Sequence, residues 1–188
     1  MKILKNERHK LEIVFPCSVP VANCIRRMLL SDVETWAVDR VIVQTNTSSM
    51  EDELLAHRLS LLPITAPLDL PASKLHFRAQ VQCDVRTLHV ENTHFALEGG
   101  AGASDVQFGH GEMVVCELHR GGELDVIATA IRGTGVQHAK WSAVTRATFE
   151  PVAEGMHFKI ETAENVTAEG AFLQALAQLS RRLDRCCV

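Results

Sequence analysis

Leu75, Phe77, Ala79, Val81, Cys83 and Val85 alternate with their neighbours without a break. A period of two places all of them on one face of a pleated strand, and no helix can gather them. Near the C-terminus the period changes. Between Ala168 and Arg185, Phe172, Leu176, Leu179 and Leu183 recur at gaps of four, three and four, the a/d stripe of a helix. Val21, Cys24, Ile25, Met28 and Leu29 follow helical spacing near the other end, with Pro20 suited to the first turn and Ser18 or Val19 at the cap. Helices towards both ends with strands between them make an α+β chain.

The remaining elements follow from local chemistry. Ile3 to Phe15 reads as a hairpin turning at Asn6-Glu7-Arg8-His9. Val33 to Thr45 is a β-branched strand, bulged near Asp39-Arg40. Ser48 and Glu51 fit a capping box for a short helix that Pro63 ends. Leu55, Leu59 and Leu62 form its apolar face. Pro67 and Pro71 mark a crossing into a second module, and Gly99 to Gly102 a loop. Glu112–Leu118 and Leu124–Ile131 read as a hairpin around Gly121-Gly122. Met156–Thr162 is a last strand, and Thr167 caps the final helix.

Composition excludes several classes. Hydrophobic residues make up 46% of 188, enough for a packed core. The formal net charge is −4, and two Trp, seven Phe and no Tyr are present, which disfavours a free-standing nucleic-acid binder. No apolar run reaches the ~20 residues of a membrane span, and the charged, alternating start is unlike a secretory signal. The six cysteines show no disulfide framework and no Cys-x-x-Cys. Buried free thiols in a reducing compartment are expected. Cys116 and His119 would point to opposite faces of a strand, and vicinal Cys186-Cys187 are poor joint ligands, so neither metal nor cofactor is expected.

Each conspicuous group has a bland reading beside a functional one. Arg26-Arg27 is a solvated helix face, or a pair of guanidinium forks for a partner carboxylate. His57-Arg58 is satisfied by pairing of Glu53 with His57 four residues on. Gly133-Thr134-Gly135 lacks a third glycine and is a turn presenting His138, Lys140 and Trp141 rather than a phosphate loop. The C-terminal stripe suits internal packing and pairing with a second chain equally.

Two separated segments carry a family resemblance. ANCIRRMLLS, the following strand and DELLAHRLSLLPI (residues 22–64), and then GTGVQHAKWSAVTRATFEP (residues 133–151), resemble the alpha-type, third-largest subunit of multisubunit DNA-directed RNA polymerase. That resemblance implies a two-part dimerisation and assembly domain, helices on a small antiparallel sheet, from residues 1–64 and 151–188. A mainly β domain, 65–150, would be inserted between them. It implies a non-catalytic scaffold that pairs with a smaller alpha-like subunit through Phe172, Leu176, Leu179 and Leu183. The β-type second-largest subunit and its neighbours would meet Asn23, Arg26, Arg27, His57, Arg58, His138, Lys140 and Trp141. The chain would act inside the cell with the transcription machinery, in nucleus, cytoplasm or viral factory, without sequence-specific DNA contact. Ala143 departs from the family's proline, and the cysteine cluster some members carry is missing. The alternative is a stand-alone α+β enzyme or ligand-binding domain using His57, His138 or a cysteine.

Overall fold

The computed structural model describes residues 1–67, 70, 74–98 and 106–186. Pro71, the Gly99–Gly102 loop and Cys187 lie outside them. The described strands are β1 Lys2–Glu7, β2 Lys10–Phe15, β3 Glu34–Asn46, β4 Ile64–Thr65, β5 Leu75–Gln82, β6 Thr87–Glu91, β7 Ala96–Glu98, β8 Gln107–Phe108, β9 Val114–His119, β10 Glu123–Thr134, β11 Val144–Val152 and β12 Gly155–Thr162. The helices are α1 Val19–Ser31, α2 Asp52–Leu61 and α3 Ala168–Cys186. The fold is α+β with antiparallel sheets. Contacts divide the chain into a first unit, Met1–Thr35 with Gly133–Val188, and a second, Trp36–Arg132.

The first unit is a sheet of order β1-β2-β12-β11 with α1 and α3 on one face. Strict alternation in β12 makes this possible. Met156, Phe158, Ile160 and Thr162 are buried, whereas His157, Lys159 and Glu161 take the other face. Phe158 pairs with Ile13 on β2 and Phe149 on β11, and its ring packs against that of Phe172 on α3. Burying such a ring contributes about 2–3 kcal/mol. On the outer face His157 lies between Glu150 and Glu12, 3.0 and 3.4 Å away, and Lys159 joins Glu150 at 3.0 Å. The Lys159 ammonium, with His157 behind it, holds the Glu150 carboxyl below its ordinary range.

Ser18 takes the cap position of α1 without a side-chain bond. The helix buries Ala22, Ile25, Met28 and Leu29, while Val21 and Cys24, expected on the same face, are exposed. The rotation sets small Ala22 against the sheet. Cys17 is half-buried and Cys24 exposed, whereas Cys83 and Cys116 are buried, so burial of all the cysteines does not hold. In α3 the Thr167 hydroxyl accepts the Gly170 N–H at 3.1 Å, the expected cap. The β1–β2 turn is only Arg8-His9, because Asn6 and Glu7 still pair within the strands.

The second unit closes two sheets and a helix on one core. The larger sheet has order β7-β5-β10-β3-β4-β8, and the smaller pairs β6 with β9. Phe77, Val126 and Trp36 from the first, Val90 and Leu118 from the second, and Leu55 and Leu59 from α2 share that core. Trp36 and Val38, then Val41 and Val43, all pack on it. The inward positions switch from even to odd across the exposed pair Asp39-Arg40.

Two expectations change. The chain does turn at Gly121, at φ +79°, but β9 pairs with β6 and β10 with β5, so the two strands form no hairpin. The capping box is not made: Glu51 takes the cap position without a side-chain bond, and the Ser48 hydroxyl bonds Asn46 Oδ1 at 2.6 Å instead. The two contact units meet at 35/36 and 132/133, since α2 packs into the second core and β11 pairs along β12.

Candidate subunit interface

In the first unit the two motif segments meet at the C-terminal end of α1. The Val136 N–H donates to the Ser31 carbonyl at 3.1 Å. A Cβ on Gly135 would lie 2.6 Å from the Leu30 carbonyl oxygen, and one on Gly133 would lie 2.6 Å from the Trp141 ring. Glycine at both positions lets the loop seat against the helix. The loop then makes a 3-10 turn, Ala139–Trp141, started by His138, whose ring nitrogen accepts the Lys140 N–H at 3.1 Å. The Lys140 ammonium stands 4.2 Å from the centre of the Trp141 ring.

This geometry sorts the expected contact residues. Asn23 and Arg27 are exposed on α1, and Arg26 is half-buried with its guanidinium donating to Asn23 Oδ1 at 2.8 Å. His138 is exposed and Lys140 half-buried. Trp141 is different: it is 6% exposed, so its indole supports the loop and offers no contact face. His57 and Arg58 are exposed on α2, in the second unit, where Arg58 donates to the Val114 carbonyl at 3.1 Å.

On α3 the expected seam is also split. Phe172 is buried at 2%, with its ring against Phe15 and Phe158, and cannot reach a partner without leaving that core. Leu176 and Leu179 are half-buried against the same cluster, and Leu183 is 57% exposed. Leu173, absent from the a/d stripe, is equally exposed at 57%. It follows the buried Phe172 directly, and only the packed structure shows which of the two faces outwards. A second element missed from sequence is the ion pair of Arg182 with Asp32, which ties the end of α3 to the end of α1.

Cys116 is buried, and that burial pushes its thiol up, away from a reactive thiolate. His119 is exposed while Cys116 is buried on the same strand. Among the described residues no group of three His, Cys, Asp or Glu side chains is gathered as for a metal, and no helix is long and apolar enough to cross a membrane.

A two-part α+β unit with a partly uncovered apolar helix stripe, interrupted by a mainly β unit, is the architecture of a subunit-pairing domain. The chain belongs to the RNA polymerase Rpb3/Rpb11 dimerisation domain family, whose model matches residues 16–183. It is 29% identical over 180 residues to DNA-directed RNA polymerase subunit Rpo3 of Methanocaldococcus jannaschii, covering 92% of this chain and 87% of the relative. It is 32% identical over 162 residues to mouse DNA-directed RNA polymerases I and III subunit RPAC1, covering 69% and 47%. Against Arabidopsis thaliana DNA-directed RNA polymerases II, IV and V subunit 3 it is 30% identical over 176 residues, covering 78% and 54%. The chain thus spans about half the length of the mouse and Arabidopsis relatives.

Proposed function

We propose that this chain is a non-catalytic scaffold of a DNA-directed RNA polymerase. It pairs with a smaller alpha-like subunit and then receives the large catalytic subunits, working wherever that transcription machinery works. The observation that carries this reading is the outer side of α3. Leu173 and Leu183 are each 57% exposed beside half-covered Leu176 and Leu179, on the terminal helix of a dimerisation-family domain. Exposed apolar side chains aligned on one helix are unfavourable in water and favour a cover. Asn23, Arg26 and Arg27 on α1, with His138 and Lys140 on the adjoining loop, are the proposed contacts for the second-largest, β-type subunit. His57 and Arg58 are the proposed large-subunit contacts in the second unit. Polymer chemistry and its metal ions belong to the large subunits, and no sequence-specific DNA contact is assigned to this chain.

The test separates pairing from folding. Leu176 and Leu179 also pack internally, so changing them would damage both. Leu173→Asp with Leu183→Asp changes only exposed positions. The double variant should keep its circular dichroism and unfolding midpoint but lose co-elution with the smaller subunit. Undiminished co-elution would sink the pairing role of this stripe.

A further inference from the structure

The last turns of α3 are held to the first unit differently from the earlier ones. Ala168 and Ala175 are fully buried on the core side of the helix. Seven residues make nearly two full turns, so the next position on that line is Arg182. There the apolar support has ended. Leu179 is half-buried against the core, but Ser180 to Arg185 are all exposed. In place of a packed side chain stands an ion pair, Arg182 Nη2 with Asp32 Oδ1. Two turns earlier, Gln174 Oε1 accepts the Glu34 N–H at 3.1 Å. The segment at the end of α1 therefore holds α3 at two levels, and the outer one is ionic.

Asp32 is a poor choice for α1 itself. It is the C-cap of that helix, whose last turn holds no basic residue. A carboxylate there meets the negative end of the helix dipole. Asparagine would keep the shape without the charge. The carboxylate is also set in place: the Ser31 hydroxyl donates to Oδ2 at 2.5 Å, and Oδ1 takes the guanidinium. The Asp32 side chain is only 15% exposed, against 56% for Arg182. The charge therefore serves α3, at some cost to the helix that carries it.

We infer that Asp32 is a positioning residue for subunit pairing. Through Arg182 it fixes the end of α3, and with it the direction in which Leu183 meets the smaller subunit. Leu183 follows Arg182 directly, so a helix end free to fray would carry this leucine with it. Ordering the end beforehand removes a cost that binding would otherwise bear. The inference rests on the scaffold reading for the pairing event, whereas the tether is a property of this chain by itself.

Two measurements on the full chain test it. Hydrogen exchange over residues 178–185 follows the end of α3 with no partner present. Titration with the fluorescently labelled smaller alpha-like subunit of the same polymerase follows pairing. Asp32→Asn should speed exchange at the end of α3, leave it unchanged over 168–177, and weaken pairing about fivefold, the worth of one partly exposed ion pair. Arg182→Ala should do the same. The two together should lose no more than either alone, because both remove one interaction. A single guanidinium nitrogen makes the contact, so Arg182→Lys should pair like the wild type. Arg181→Ala, about 100° round the helix, should do so too. If the wild type pairs and Asp32→Asn changes neither exchange nor affinity, or only one of them, the inference falls and the scaffold reading stands. Faster exchange along the whole of α3 also overturns it, by making Asp32 a residue of general stability. So does an Arg182→Lys variant as weak as Arg182→Ala, which would assign the effect to the arginine stem. A wild-type chain that does not pair defeats the scaffold reading and the inference with it.

Discussion

Gly135 shows how one missing carbon shapes a surface. Its Cα rests against the last turn of α1, and an added Cβ would meet the Leu30 carbonyl oxygen at 2.6 Å. That neighbour is backbone in a packed helix and cannot swing aside. Gly135→Ala should therefore push the loop off the helix, lengthen the Val136–Ser31 hydrogen bond and cost about 1–3 kcal/mol, as overpacking does. Urea unfolding checks the magnitude. A midpoint within error of the wild type would mean that the loop can shift without cost. Trp141 belongs to the same argument, because its ring fills the space left by the missing Gly133 side chain. In the sequence this tryptophan could be read as a contact residue or as an anchor, and only its burial decides for the anchor.

Among the elements, β5 and β10 are locked by side chains as well as by their ladder. Arg78 Nε and Nη2 reach Asp125 at 3.2 and 3.0 Å, and Gln80 donates to Asp125 at 2.9 Å. These bonds, Arg78 foremost, hold the Asp125 carboxyl below the ordinary range. The sign follows from linkage: a carboxylate with a lowered folded pKa stabilises fully above its unfolded value, ~3.9, and that stabilisation is lost as pH falls through the folded value. Asp125→Asn should thus narrow the gap in urea midpoint between neutral pH and pH values below ~4. An unchanged gap would show that other carboxylates carry the acid response. The inward face of β5 was legible, since the run from Leu75 alternates strictly. The partner of β9 was not. Two alternating segments around Gly121-Gly122 look alike whether the chain folds back on itself or crosses to another sheet. The choice rests on Val90 and Leu118 meeting a core shared with Val126, contacts that no local pattern encodes. Helices α1 and α3 were legible from their period, and the outward side of Arg27 with them. The link from Arg182 to Asp32 spans 150 positions and left no trace in the sequence.

At the scale of the molecule, the second unit is one continuous segment with a core of its own. Residues of the first unit's cluster all come from 1–35 and 133–188, and those of the other all from 36–132. The entry and exit of the second unit are also close together. β3 and β10 are neighbours in its sheet, and the Arg132 guanidinium stands 5.5 Å from the centre of the Trp36 ring. Adjacent strands lie ~5 Å apart, a gap that a two-residue turn closes. Removing Trp36–Arg132 and joining Thr35 to Gly133 through Asn-Gly should therefore leave a chain that folds. Its sheet β1-β2-β12-β11 and both its helices remain, and with them the Leu173 and Leu183 stripe. The shortened chain should unfold in one cooperative urea transition and still co-elute with the smaller subunit, because neither property draws on a residue of the excised core. It should lose any large-subunit contact made by His57 and Arg58. A chain that shows no cooperative transition would mean that the first unit depends on the second for stability. A folded chain that no longer pairs would place part of the pairing surface in the second unit.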